Sequence, residues 1–207
     1  TEASFAKVDL DGAGVAGAEC ELRLVDPNGA AVTVVDSWTS NGRPHKVTGL
    51  LERGSVYRYH EAKAPDGYGW SKDIEFTVDE TGTIVNAHYV DRDGLPVLYD
   101  RDGIATDIVV LEDGSYRLGN EKVTINENGA AVGNDGNIIA EGVRYEVPAD
   151  GNLIRMIDVP TNVLFKKVSS SGTALTGGRF VIVTEDGTVV NASADTQIPS
   201  TEHEGNI

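Results

Sequence analysis

Turn signals recur along the whole chain and leave no stretch with a sustained helical period. Asp11-Gly12, Asn28-Gly29, Asn41-Gly42, Asp66-Gly67, Asp93-Gly94, Asp102-Gly103, Asp113-Gly114, Asn128-Gly129 and Asp135-Gly136 share one form. A polar side chain that bonds back to its own backbone precedes a residue free to take positive φ. The 24 glycines of the 207 residues are the compositional face of the same pattern. Between the turns, apolar and polar residues alternate with period two, as in strands with one face inward. This predicts strands at 5–10, 17–24, 32–38, 47–51, from 57, at 74–78, from 83, and over 153–158. From about Asp91 the texture changes to shorter apolar stretches at 108–111, 123–125, 138–139 and 143–147, read as a run of β-hairpins. No helix is expected.

Composition excludes several functions. Seventeen Lys and Arg stand against 33 Asp and Glu, a net charge of -16, so no basic stripe is available to neutralise nucleic-acid phosphates. No apolar run is long enough to span a membrane, and no signal peptide or anchoring tail is evident, so the chain reads as a fragment of a longer protein. The single Cys20 cannot form an internal disulfide and reads as a small core residue. The Asp/Asn/Gly turns lack the ligand spacing of a calcium loop, so neither a metal nor another cofactor is expected. No His-centred or paired-acid motif stands apart from the turns, and His45, His60, His88 and His203 have no evident partners. An enzyme with turnover therefore ranks last.

The stretch 57–68, YRYHEAKAPDGY, is the unusual one. In a strand, Tyr57, Tyr59 and Glu61 share a face, so a carboxylate points where two large aromatics point. Lys7 stands in the same relation to Phe5, and Asp158 to Ile154 and Met156. One reading is a buried ion pair or triad. The other is chemical: burial weakens the charge on a lysine and keeps a Glu protonated, so an amine can attack a neighbouring carboxyl. Held geometry would then replace an activating cofactor, and the product would be an amide between side chains. Asp100, which shares a face with Leu98 in 96–100, is the alternative acceptor.

Part of the opening recurs. Phe5-Ala6-Lys7-Val8, followed by a turn and a strand, reappears as Phe165-Lys166-Lys167-Val168, a Ser/Gly turn, a strand over 175–183 and Glu185-Asp186-Gly187. This signals tandem modules, the second incomplete at Ile207. Lys167 matches Lys7 but has no counterpart of Glu61, so it is expected to be unreacted.

These residues resemble the B-type repeat domains of Gram-positive collagen adhesins and the related SpaA-type pilin domains. The match is carried by Phe5-Ala6-Lys7-Val8-Asp9, Gly17-Ala18-x-Cys20-x-Leu22, Val47-x-Gly49-Leu50, Gly54-x-Val56-Tyr57 and Ile74-x-Phe76-x-Val78. Most specific is Glu61-Ala62-Lys63-Ala64-Pro65-Asp66-Gly67-Tyr68. The match resumes at Ile154-x-Met156-x-Asp158-x-Pro160-Thr161. The resemblance implies an all-β, antiparallel, prealbumin-like (Ig-like, CnaB) β-sandwich and an autocatalytic isopeptide bond. Lys7 would be the donor, Glu61 the assisting acid and Asp158 the acceptor. Domain boundaries follow: 1–160 as one module with an insertion at about 91–150, and 161–207 as the start of a second. The departure from the family is that insertion.

The implied function is a stalk or backbone module of a bacterial surface adhesin or pilus: extracellular, cell-wall-anchored, and joined to adjacent modules of its own polypeptide. The rival is a ligand-binding module. There the inserted hairpins would recognise a host matrix protein or a glycan, with Trp38, Trp70 and Tyr89 as candidate stacking residues.

Overall fold

The computed structural model describes residues 1–26, 32–147, 150–166, 168–173, 181–183, 189–192 and 202–206. Two compact units divide the chain, Thr1–Val159 and Pro160–Ile207. Lys167, the turn through Pro27 to Gly29, most of the strand expected over 175–183 and the turn at Glu185 to Gly187 lie outside the described residues.

The first unit runs β1 (Glu2–Val8), β2 (Ala16–Val25), β3 (Val32–Asn41), β4 (His45–Thr48), β5 (Val56–Lys63), β6 (Asp73–Val78) and β7 (Ile84–Val90). It continues with β8 (Pro96–Tyr99), β9 (Ala105–Val110), β10 (Tyr116–Leu118), β11 (Glu121–Ile125), β12 (Ala131–Val132), β13 (Ile138–Ala140) and β14 (Leu153–Ile157). All elements among the described residues are strands. A small sheet has the order β14-β1-β4; a large one runs β13-β12-β11-β10-β9-β8-β7-β6-β5-β2-β3.

Every pairing in the large sheet is antiparallel, whereas β1 and β14 pair in parallel, with Phe5 opposite Ile154 and Lys7 opposite Met156. A parallel pair cannot be closed by a tight turn. Here the connection is nearly the whole unit, so the first and last strands are brought together only by completing the fold.

Alternation places one face of each sheet against the other. The Phe5 ring lies 5.3 Å from Tyr59, 5.7 Å from Phe76 and 6.0 Å from Trp38, three side chains of the large sheet. Leu22, Tyr57, Ile74, Ile154 and Met156 fill the same layer. Burying an aromatic or large aliphatic side chain of this kind contributes about 1.5–3 kcal/mol. The all-β, prealbumin-like β-sandwich is therefore observed, antiparallel except for the β1–β14 pair.

The hairpins beyond β7 are not a detached insertion. They continue the large sheet as a meander with its own small core of Leu98, Ile108, Val123 and Ala131. The stretch 143–147, expected as a strand, instead makes isolated bridges, Arg144 to Tyr99 and Glu146 to His88. Its backbone bonds go in turn to Gly129, Tyr99 and Ala87, in three different segments, so its alternation produces no ladder with any one strand.

One turn is used repeatedly. In Asp91-Arg92-Asp93-Gly94-Leu95, the N–H groups of Asp93 and Leu95 donate to Asp91 Oδ1, and the Gly94 N–H donates to the Asp91 carbonyl. Asp9, Asp79, Asp100 and Asn126 close turns in the same way. These side-chain oxygens accept from the backbone, and no group of three or more His, Cys, Asp or Glu able to hold a metal occurs among the described residues. Among the described residues no helix is long and apolar enough to cross a membrane.

In the second unit, β15 (Asn162–Lys166) pairs antiparallel with β18 (Glu202–Asn206), and β16 (Val181–Val183) with β17 (Val189–Ala192).

Candidate functional site

Lys7, Glu61 and Asp158 come from three strands or strand ends and meet inside the first unit. Lys7 stands opposite Met156 of β14 in the parallel pair and is 3% exposed. Glu61 follows Tyr57 and Tyr59 on the inward face of β5 and is 1% exposed. Asp158 directly follows β14 and is fully buried; its N–H donates to the Val8 carbonyl at 2.8 Å, which fixes it beside the end of β1.

Lys7 Nζ lies 2.7 Å from Glu61 Oε1 and also contacts Asp158 Oδ1. A lysine and two carboxylates in a dry core carry one uncompensated negative charge if all are ionised, which is costly. Burial pushes the Glu61 carboxyl above its ordinary range, against the lowering influence of the Lys7 ammonium and the Ser71 N–H. Burial thus favours the protonated form of Glu61.

Glu61 and Asp158 share no direct hydrogen bond. Asp158 Oδ2 is buried without a hydrogen-bond partner. Ser71 stands between the two acids instead. Its N–H donates to Glu61 Oε2 at 2.8 Å; its hydroxyl lies 2.5 Å from Asp158 Oδ1, 2.7 Å from the Ile157 carbonyl and 3.3 Å from Lys7 Nζ. The segment that carries it is clipped to the end of β14, the Gly69 N–H donating to the Val159 carbonyl at 2.9 Å. The Pro65-Asp66-Gly67 turn, closed by the Tyr68 N–H donating to the Pro65 carbonyl, sends the chain back toward that strand.

Sequence reasoning missed Ser71. It lies outside any alternating stretch, between Trp70 and Lys72, and its contacts are to residues far away in the chain. A single sequence carries no signal for it.

Beneath the site, Cys20 pairs across the sheet from Glu61, and its Sγ is 3.7 Å from the Tyr59 hydroxyl. Burial pushes the Cys20 thiol up to about 11 and the Tyr59 hydroxyl well above its ordinary value, so both are neutral core groups.

Asp100 is elsewhere. Its Oδ1 accepts from the N–H groups of Asp102 and Ile104 in a surface turn, away from Lys7. The aromatic candidates also part company. Trp38 is stacked on His45 at 4.2 Å and packed against the core; Tyr89 is buried; Trp70 is 68% exposed. Three histidines expected to lack partners have them: His45 with Asp36, His60 with Asp73, and His88 with the Asn86 carbonyl and the Tyr145 ring. The acidic partners of His45 and His60 lie on another strand, beyond what periodicity shows.

A two-sheet, all-strand sandwich closed by parallel first and last strands defines the class as a prealbumin-like β domain. The family model SpaA, a prealbumin-like fold domain, matches residues 1–92, which include Lys7, Glu61 and Ser71 and end before Asp158. No curated protein sequence matches the chain.

Among solved structures, the pilus adhesin SpaC from Lactobacillus rhamnosus GG is similar at 18% identity and a TM-score of 0.38, over 77% of this chain and 14% of that one. Its C-terminal fragment is matched over 45% of its length at the same identity and TM-score. The shaft pilin SpaA from the same organism is similar at 16% identity and a TM-score of 0.33, over 77% of this chain and 97% of that one. The chain thus spans well under two thirds of these two adhesin chains.

Proposed function

We propose that the first unit is a structural module of a bacterial surface pilus or adhesin, which closes itself covalently by an amide between Lys7 and Asp158. The observation that carries this reading is the burial of Lys7 between Glu61 and Asp158, with no other cation paired to either acid among the described residues. The match of residues 1–92 to the SpaA domain supports it. The Lys7 nitrogen attacks the Asp158 side-chain carbonyl carbon. A C–N bond forms, a C–O bond breaks, and the oxygen leaves as water with two of the ammonium's three protons. Burial favours the protonated form of Glu61, and a protonated Glu61 does not hold Lys7 as an ammonium, so Lys7 can give its protons to the departing oxygen. The dry core then shields the amide from hydrolysis. The reaction occurs once per molecule, so the module is not an enzyme with turnover.

In this reading, pulling force applied along the chain passes through the amide rather than through the hydrogen bonds of β1 and β14. The second unit is the opening of a similar module, on the strength of the repeated Phe-x-Lys-Val pattern, and the partners are neighbouring modules of the same polypeptide outside the cell. The intact mass of the purified chain, beside Lys7→Ala and Glu61→Ala, tests the reaction. The wild type should be one water lighter than its sequence and both variants at full mass, with peptide mapping joining Lys7 to Asp158. A wild-type chain at full mass would leave the three residues an ordinary buried ion cluster.

A further inference from the structure

Ser71 touches every member of the cluster. Its hydroxyl is within hydrogen-bond distance of Asp158 Oδ1 and of Lys7 Nζ, and its backbone N–H holds Glu61 Oε2. A hydroxyl has one proton and two lone pairs, so it can accept from nitrogen while donating to oxygen. When it donates to the Ile157 carbonyl, 2.7 Å away, that path is idle; when it turns to Asp158 Oδ1 the path from Nζ to Oδ1 is continuous. Ser71 also stands at the edge of the dry site. It lines a cleft of about 250 Å³ together with Trp70, Lys72, Ile157 and Val159, whereas Lys7, Glu61 and Asp158 do not.

We propose that the Ser71 hydroxyl is a catalytic residue of the cross-linking step, binding the Asp158 oxygen that leaves and relaying to it a proton from the Lys7 nitrogen. This rests on the amide-forming reading above. One ammonium proton crosses directly from Nζ to Oδ1 in the existing contact. Nζ then attacks the side-chain carbon. A second nitrogen proton passes to Ser71 Oγ as the Ser71 proton passes to Oδ1. The C–Oδ1 bond breaks, water departs into the cleft, and Ser71 is again a hydroxyl. The nitrogen keeps one hydrogen, as an amide requires. The backbone N–H of Ser71 serves separately, fixing Glu61, and no side-chain substitution removes it.

The test follows the fraction of chain that is one water lighter with time after a short pulse of synthesis. Wild type is compared with Ser71→Ala, Ser71→Cys and Ser71→Thr, and circular dichroism reports the fold of each. Ser71→Ala and Ser71→Cys should form the link roughly 10²-fold more slowly, at the lower end of what a positioned proton donor contributes. Ser71→Thr, which keeps the hydroxyl, should restore the rate. A merely structural role would move folding and link formation together and would not be rescued by the hydroxyl alone. A wild type that links while a folded Ser71→Ala or Ser71→Cys links equally fast overturns the relay and leaves the amide intact. A wild type that never loses water overturns both.

Discussion

Lys7 and Asp158 are 151 positions apart in the chain, yet their side chains touch in the core beside the parallel pair β1 and β14. That contact joins the first strand of the unit to the residue after its last strand. Almost every other residue of the unit lies inside the loop it closes.

Closing so long a loop should show as heat resistance. Constraint of a loop of this length is worth about 5 kcal/mol on loop-closure grounds. Lys7→Met keeps a side chain of similar length and removes the amine. For a domain of this size the lost constraint alone should lower Tm by roughly 10–20 °C. Scanning calorimetry of the two proteins checks this, and equal Tm values would mean that no covalent constraint exists.

The identity of the acceptor can be read from the leaving group. Asp158→Asn should still link, with loss of ammonia in place of water. Asp158→Ala should keep full mass. Asp100→Ala removes two hydrogen bonds of a surface turn, at a cost of about 1 kcal/mol each, and should link as the wild type does. A link that disappears in Asp100→Ala and persists in Asp158→Ala would transfer the role to Asp100.

Glu61 gives a signed pH dependence. Its folded pKa is raised above the ordinary 4.5, burial being the main cause, so the folded state holds a proton that the unfolded state has released. The associated stability is complete below the ordinary value and is lost as pH rises through the folded value. Lys7→Met blocks the link and removes the nearest lowering charge, leaving Asp158, Tyr59, Cys20 and Ser71 around Glu61. In urea titrations its stability relative to Lys7→Met/Glu61→Gln should fall with rising pH above 4.5, by up to about 1.4 kcal/mol per pH unit. No fall above pH 4.5 would mean that Glu61 is already ionised in the fold.

Two glycines in one turn should respond differently to alanine. Gly12 has φ of +79° with open space around a built Cβ, so Gly12→Ala carries only the cost of a left-handed backbone, about 1–2 kcal/mol. A Cβ on Gly14 would overlap the backbone carbonyl of Gly42, which cannot swing aside. Gly14→Ala should therefore cost about 3 kcal/mol, the upper end of overpacking. Urea denaturation ranks the two, and the reverse order would mean that the close approach of the two turns is relaxed in solution.

The strands of the sandwich were legible because period-two alternation is local. Phe5, Leu22, Tyr57, Ile74 and Ile154 announce their inward faces without reference to any partner. The same logic exposed Lys7, Glu61 and Asp158, since a charged side chain in phase with buried neighbours is visible in the pattern itself. It failed at 143–147, whose bonds are divided among several segments, and at His45 and His60, whose acidic partners lie on other strands.

The sequence by itself determined an all-β chain broken by Asx-Gly turns, with three ionisable residues facing inward. Only the tertiary structure decided that these three meet and that Asp100 stays in its turn. It also placed Ser71, rather than a direct hydrogen bond, between the two acids. The physical reason is that burial is written locally in side-chain order, whereas contact across a parallel first-to-last pairing depends on every strand between them being in place.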